Sequence, residues 1–299
     1  MTCEEEVAGG PGSRELQTAP SGPSTTWPLP LTPAYGSDAH EVEAARAVAA
    51  KARRCNQVPP AVLAQDETGS VVVVAKSAGA YCEDAAAGFS HVRGGSFVAL
   101  GHRLDRDTSG ALALATSQAA LGALHKAFSH PGGLVRKAYV ALAHASCVPQ
   151  PTVVRSGHGR SAHGLWRAYP VADCGRQLPG GGGTVKLAET ALQWFGPPDE
   201  QQRCLLLAVP RQGRTHQVRL HAALAGTPLS GDVRYGGLQN TQDAVLLHAA
   251  LLGLPPLADV AAAVTCVAPL PDWVAQCPPD ARHALEAALQ ARRDGLVSM

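Results

Sequence analysis

The 299-residue chain has no C-x-x-C cysteine pair, no apolar run of membrane-spanning length and no excess of charge of either sign. Each absence excludes something. Cys3, Cys55, Cys82, Cys147, Cys174, Cys204, Cys266 and Cys277 are scattered, which fits neither a zinc knuckle nor the disulfide framework of a small secreted domain. They read as free thiols in a reducing compartment. A membrane helix needs about 20 consecutive apolar residues, and none is expected here. The formal net charge of +1 gives no global field towards nucleic acid or membrane, so any polyanion binding must come from a local patch. The twelve histidines form no i, i+4 pair that would stack two metal ligands on one helical face. His216/His221 and His125/His130 are five apart, and no metal is expected. Glu4-Glu5-Glu6 argues against both a secretory signal and an acid-poor transit peptide.

What is present begins with a tail. Residues 1–36 are rich in Pro, Gly, Ser and Thr, too poor in apolar surface to offset the entropy of ordering, and are expected to be disordered. Ser37-Asp38 caps a predicted helical extension at 37–58, whose Lys51, Arg53 and Arg54 suit a helix C-terminus. The compact domain is placed at 59–299. Apolar runs at Val62-Leu63, Val71–Ala75, Ala111–Ala115, Tyr139–Ala143, Glu189–Phe195, Cys204–Val209, Leu246–Leu252 and Val260–Val267 read as strands. Helices are predicted after Thr116 or Ser117, from Thr215 as cap through Ala225, and over Asp280–Arg293 with Leu285 and Leu289 inward. Residues 150–185, polar and glycine-rich, read as a surface insertion. The pattern predicts an α+β fold, a mixed and mainly antiparallel central sheet with flanking helices.

Three stretches carry candidate chemistry. In Gly101–Gly110, Asp105 lies between Arg103 and Arg106, ahead of a Thr-Ser-Gly turn. A carboxylate among cations stays ionised, although a surface salt-bridge cluster worth under ~1 kcal/mol has the same sequence. In Pro210–His221 a strand ends, Gly213 permits a sharp turn, and Arg214 arrives beside a helix N-terminus with Arg211 and Arg219 near. A guanidinium aimed from such a turn pairs bidentately with carboxylate or phosphate; helix capping with surface arginines is the plainer alternative. In Arg136–Tyr139 the strand alternation puts Lys137 and Tyr139 on one side. That is either a phosphate-and-base contact or a half-buried tyrosine with a snorkelling lysine.

Taken in order, these segments resemble the RluA-type RNA pseudouridine synthases. His102–Gly110 matches H-R-L-D-x-x-T-S-G, Lys137–Leu142 matches K-x-Y-x-A-L, and Gly213–His221 matches G-R-T-H-Q-[ILV]-R-[VL]-H. Gly231-Asp232-x-x-Tyr235-Gly236 and Leu246-Leu247-His248-Ala249 are similar to two further family segments. The likeness runs over roughly residues 60–270, and Arg160–Arg167 is similar to an insertion of a plant and algal branch. Two departures stand out. The family's N-K-P-x-G turn is here Ala75-Lys76-Ser77-Ala78-Gly79, which should loosen that turn without touching the acid. The usual F-x-H-P after the Leu246–Ala249 strand is Gly253-Leu254-Pro255-Pro256.

The resemblance implies the pseudouridine synthase catalytic fold and an isomerase that converts specific uridines in tRNA or rRNA to pseudouridine. The N1–C1′ bond breaks, the uracil turns, and C5 rejoins C1′, with no cofactor and no metal. Asp105 would be the catalytic carboxylate, attacking or deprotonating the sugar. Arg214 would hold Asp105 ionised and oriented, and Tyr139 would stack on the uracil and assist proton movement at C5. Val218 would be an apolar floor under the base. Arg103 would fill the position vacated by the flipped nucleotide or grip a phosphate, and Lys137 and Arg219 would contact phosphates. His102 and Thr215, in the same motifs, join the RNA-contacting set. A hydrolase using Asp105 and Asp107 as an acid–base pair is one competing reading; a non-catalytic RNA-binding protein on the retained scaffold is another. RNA is the expected partner, a monomer the expected state and the cytoplasm the expected compartment, with nucleus and organelle left open.

Overall fold

A computed structural model describes residues 14–17, 59–130, 132–161, 165–181 and 183–297. The predicted helical extension at 37–58 lies outside the described residues, save for its border at Pro59, and so does the tail apart from Arg14–Gln17. Those four residues run as a strand, not as disordered chain.

The order of elements is β1 (Arg14–Gln17), β2 (Val62–Gln65), β3 (Val71–Lys76), α1 (Cys82–Val92), β4 (Ala99–Leu100), β5 (Ser109–Ala115), α2 (Gln118–Ser129) and β6 (Arg136–His144). It continues with β7 (Thr152–Arg160), β8 (Trp166–Tyr169), β9 (Lys186–Phe195), β10 (Arg203–Pro210) and α3 (Gln217–Leu224). The last elements are β11 (Leu247–Leu254), β12 (Val264–Val267), α4 (Asp272–Ala275) and α5 (Pro279–Val297). The strands make one sheet in the order β1-β7-β9-β10-β6-β11-β5-β3-β2, with β12, β4 and β8 attached beside β11, β5 and β7. Among the described residues only the β1–β7 and β5–β11 pairings are parallel. The mixed, mainly antiparallel sheet with helices on it is the predicted α+β architecture.

Strand alternation sends successive side chains to opposite faces, and each half of the sheet therefore has two cores. Val71, Val73, Ala111 and Ala113 meet Ala120, Leu124 and Ala127 of α2 on one face. Val72, Val74, Leu112 and Leu114 meet Cys82, Ala86 and Phe89 of α1 on the other. In the second half, Val140, Leu142, Leu205 and Leu207 pack under α4 and α5 through Trp273, Leu285 and Leu289. Ala141, Ala143, Leu206 and Ala208 pack under α3 through Val218 and Ala222. Each fully buried leucine contributes about 1.5–3 kcal/mol. Among the described residues no helix is long and apolar enough to cross a membrane, and Cys82, Cys147, Cys174, Cys204, Cys266 and Cys277 are free thiols.

Three elements differ from expectation. Helix α1 was not predicted: Tyr81 at its N-cap supplies no side-chain hydrogen bond, although Glu83 and Asp84 in its first turn suit the helix dipole. The segment 150–185 is not merely a surface insertion. It contains β7 and β8, and Ser156, Gly157 and His158 are buried. No apolar alternation marks β7, because most of its buried positions are small or polar; Ser156 is held by a distant partner and His158 stacks on Trp166. Ser156 Oγ lies 2.9 Å from His221 Nε2, and His221 Nδ1 lies 2.7 Å from Thr190 Oγ1. That Ser-His-Thr chain looks like hydrolytic chemistry, yet all three residues are completely buried, so it ties β7 and β9 to α3. Third, α3 starts at Gln217 after His216, not after a Thr215 cap.

The two halves join at β11, which pairs with β5 on one side and β6 on the other. At the β5–β11 crossing Gly110 has φ +108°, and a Cβ there would run into the carbonyl oxygen of Ala249. Gly110→Ala should therefore yield little soluble folded protein, a loss on the order of 3 kcal/mol or more from a misfit φ plus backbone collision. Normal yield and an unchanged melting temperature for that variant would show the crossing is not this tight.

Candidate active site

A pocket of about 720 Å³ opens over this junction, and its wall includes every site residue the sequence pointed to: His102, Arg103, Asp105, Lys137, Tyr139, Arg214, Thr215, Val218 and Arg219. The volume suits a small-molecule or nucleoside ligand. Three segments far apart in the chain meet there because the loop before β5, the face of β6 and the start of α3 are neighbours across β11.

Asp105 sits in a loop pinned at several points. His102 Nε2 accepts the Ala113 amide at 3.0 Å, and the ring stacks on Phe128 with centroids 4.4 Å apart. Burial pushes that imidazole down to about 3. His102 is thus a neutral brace of the loop, although it also borders the pocket. Leu104 N donates to Cys82 Sγ at 3.2 Å, and Thr108 N donates to the Asp105 carbonyl at 3.1 Å. Lys76, 2 % exposed, donates its ammonium to the carbonyls of Ser77, Ala80 and Arg106 at 2.9, 2.7 and 2.8 Å. The turn that lacks the family's asparagine and proline is therefore tied to the residue next to Asp105. Its lysine does bear on the acid.

The flanking arginines do not hold Asp105. Arg103 is exposed. Arg106 binds Asp107 through Nε at 2.7 Å and Nη2 at 3.0 Å, which occupies the second carboxylate that a hydrolase would need. Residues 102–108 are loop, not strand, so Asp105 and Asp107 lack the shared face of that reading. Nor does Arg214 reach the acid: its Nε donates to the Leu187 carbonyl at 3.3 Å. The guanidinium beside Asp105 is that of Arg219, with Nη1 3.8 Å from Oδ2. Arg219 is fixed by Asp232, Nε to Oδ2 at 2.7 Å and Nη2 to Oδ1 at 2.6 Å, with the Asp232 side chain fully buried. The sequence could not rank the two arginines, because both belong to one motif. The distinguishing fact is helical phase: Arg214 precedes α3, whereas Arg219 lies in its first turn and faces the loop before β5.

Burial raises the pKa of the Asp105 carboxyl, and the neighbouring Arg219 opposes that rise. Burial also pushes the Tyr139 phenol up, with the Asp105 charge adding to the effect, so Tyr139 stays protonated across ordinary pH. Lys137, on the same face of β6, is brought down to about 8 by burial and then by Arg214. Its ammonium has no hydrogen-bond partner among the described residues, and a Cβ on Gly213 would sit 3.2 Å from it. Val218 is 6 % exposed at the apolar wall. Thr215 borders the pocket between Arg214 and His216.

Three contributors escaped the sequence reading. Asp232 and Tyr235 lie in the Gly231–Gly236 segment, to which the sequence assigns no role, and His216 stands out in the sequence only by its spacing from His221. His216 and His221 diverge, one towards Asp105 and the other into the core. No group of three or more His, Cys, Asp or Glu side chains placed to hold a metal occurs among the described residues.

Comparison with known proteins agrees with this arrangement. The family model described as RNA pseudouridylate synthase matches residues 70–224. The chain is 32% identical over 268 residues to RNA pseudouridine synthase 1 of Oryza sativa subsp. japonica, covering 75% of each chain. Against RNA pseudouridine synthase 1 of Arabidopsis thaliana it is 32% identical over 246 residues, covering 71% of this chain and 75% of that one. Among solved structures, human RNA pseudouridylate synthase domain containing 1 superposes with a TM-score of 0.54 at 26% identity, over 71% of this chain and 84% of that one. On motif order, fold and pocket alike, the chain belongs to the RNA pseudouridylate synthase family.

Proposed function

We propose that this isomerase acts on uridines of transfer or ribosomal RNA with Asp105 as its catalytic carboxylate. The observation that carries the reading is the meeting of Asp105, Tyr139 and Arg219 around one pocket from three separate stretches. A uridine leaves its stack, costing a few kcal/mol that loosened loops reduce, and enters base-first between Tyr139 and Val218. Asp105 acts on the sugar, as nucleophile at C1′ or as base, while Arg219 supports its charge. The N1–C1′ bond breaks, the uracil turns about the pocket wall, and C5 bonds to C1′. The C5 proton then leaves to solvent and N1 takes one up; the protonated Tyr139 phenol stands beside that exchange.

Arg214 and Arg219 exchange the roles expected of them. Arg219 is committed to carboxylates inside the protein, and Lys137 with Arg214 supplies the cationic face that remains for a phosphate of the entering nucleotide. Lys137→Ala and Arg214→Ala should each weaken RNA binding and make the slope of log affinity against log salt shallower by about 0.7–1. A wild-type slope in either variant removes that residue from the phosphate contact.

The function is tested by incubating the protein with RNA carrying 5-tritiated uridine and mapping pseudouridine in cells with and without it. Tritium release with pseudouridine at defined positions is the expected result. Free uracil in the product would instead show a hydrolase, and bound RNA without isomerisation would show a retained scaffold.

A further inference from the structure

His216 occupies a position its backbone does not favour. It is the residue before α3, at φ +58° and ψ +18°, and its side chain makes no capping hydrogen bond. A left-handed conformation is unfavourable for any residue with a Cβ, least so for Asn, Asp and His, and N-caps that hydrogen-bond the helix sit in the extended region instead. What histidine does there is reach in two directions. Nδ1 lies 2.7 Å from the Tyr235 hydroxyl, with the two rings edge to face at 5.6 Å, and Nε2 lies 3.9 Å from Oδ2 of Asp105.

The hydrogen-bond network assigns the tautomer. The Tyr235 hydroxyl has one proton and two acceptors, His216 Nδ1 at 2.7 Å and the Trp166 carbonyl at 3.4 Å. The shorter distance is that of an O–H donor. With Nδ1 accepting, the neutral ring carries its proton on Nε2, and the opposite tautomer would face a lone pair towards the Asp105 carboxylate. Burial, with Arg219, Arg234 and His158 around it, holds His216 down to about 2, so the ring stays neutral and gives Asp105 a donor without a second charge. Arg219 and His216 both come closest to the same oxygen, Oδ2, and Oδ1 accepts no hydrogen bond among the described residues.

We propose that His216, fixed as the Nε2–H tautomer by Tyr235, is a positioning residue that joins Arg219 in holding Oδ2 of Asp105 and so presents Oδ1 to the nucleoside. The 3.9 Å separation closes when substrate excludes water, as donor contacts at active sites do on complex formation. This rests on the synthase reading above. Asp105 is otherwise faced by Arg219, Asp232, Asp107 and Lys76, none of which the test alters.

His216→Asn suits the left-handed backbone yet cannot reach Asp105, His216→Phe keeps the ring without a donor, and His216→Gln keeps an N–H of similar reach. On tritium-release assays His216→Asn and His216→Phe should lose about tenfold or more in kcat. Their acid limb of kcat, which reports the bound complex, should move up by roughly half a unit to one unit, because there the carboxylate loses a donor to its charged form. His216→Gln should recover most of both, and Tyr235→Phe should move the limb the same way by less. His216→Asn should melt no lower than the wild type. An unmoved acid limb in His216→Asn and His216→Phe, or kcat within twofold of wild type, overturns the inference while leaving the function standing. An inactive wild type overturns the function itself.

Discussion

Asp105→Asn should abolish isomerisation while RNA still binds. The substitution keeps size and the loop's backbone hydrogen bonds, since Thr108 uses the Asp105 carbonyl and not its side chain. It removes the charge needed to attack C1′ or to take a proton from the sugar. A positioned acid–base group alone is worth about 10²–10⁴ in rate, and loss of a nucleophile costs more. Tritium release should fall to background, with binding affinity within a few-fold of wild type, because the Lys137 and Arg214 face is untouched. Substantial turnover by this variant would remove Asp105 from the chemistry. Asp105→Asn should also melt slightly higher than the wild type, for a buried carboxylate of raised pKa is replaced by a neutral amide.

Arg219 has the second large effect, and it acts on both stability and activity. It is 9 % exposed and bridges the fully buried Asp232 side chain to Asp105. Arg219→Met leaves Asp232 without a cation in the interior, which costs about 3–5 kcal/mol, and leaves burial to raise Asp105 unopposed. Melting temperature should drop by many degrees and activity should vanish. Arg219→Lys cannot reproduce the two parallel bonds to Asp232 and should fall well short of wild type in both. A double variant, Arg219→Met with Asp232→Leu, separates the two contributions. It exchanges a buried ion pair for apolar packing and should recover most of the stability, yet isomerise no uridine. Recovery of activity along with stability would show that Arg219 serves only the scaffold.

Much of this molecule was legible in the chain. Strands β3, β5, β6 and β10 read directly as apolar runs, since each is largely buried on both faces, and β9 reads from its alternation. The sites around Asp105, Lys137–Tyr139 and Gly213–His221 were visible because a loop acid, a strand cation with its aromatic and a glycine turn each carry chemistry at fixed spacing. Strand β7 was hidden, because Ser156, Gly157 and His158 are buried without being apolar, and Ser156 is tied through His221 to Thr190, remote in sequence. Helix α1 was hidden because alanines and an uncapped start give little signal. His102, an expected RNA contact, lines the pocket and is also held to the loop by the Ala113 amide and the Phe128 ring.

By itself the sequence determined the fold class, nine residues of the pocket wall and the family, since these follow from local periodicity and from motifs within short segments. Only the tertiary structure decided which arginine and which histidine lie beside the acid and which carboxylates are taken. Ion pairing falls off with distance and depends on burial, and both are set by where β5, β6 and α3 meet around β11. Arg214 and Arg219 are five positions apart in the chain, yet one turns to a backbone carbonyl and the other to Asp105.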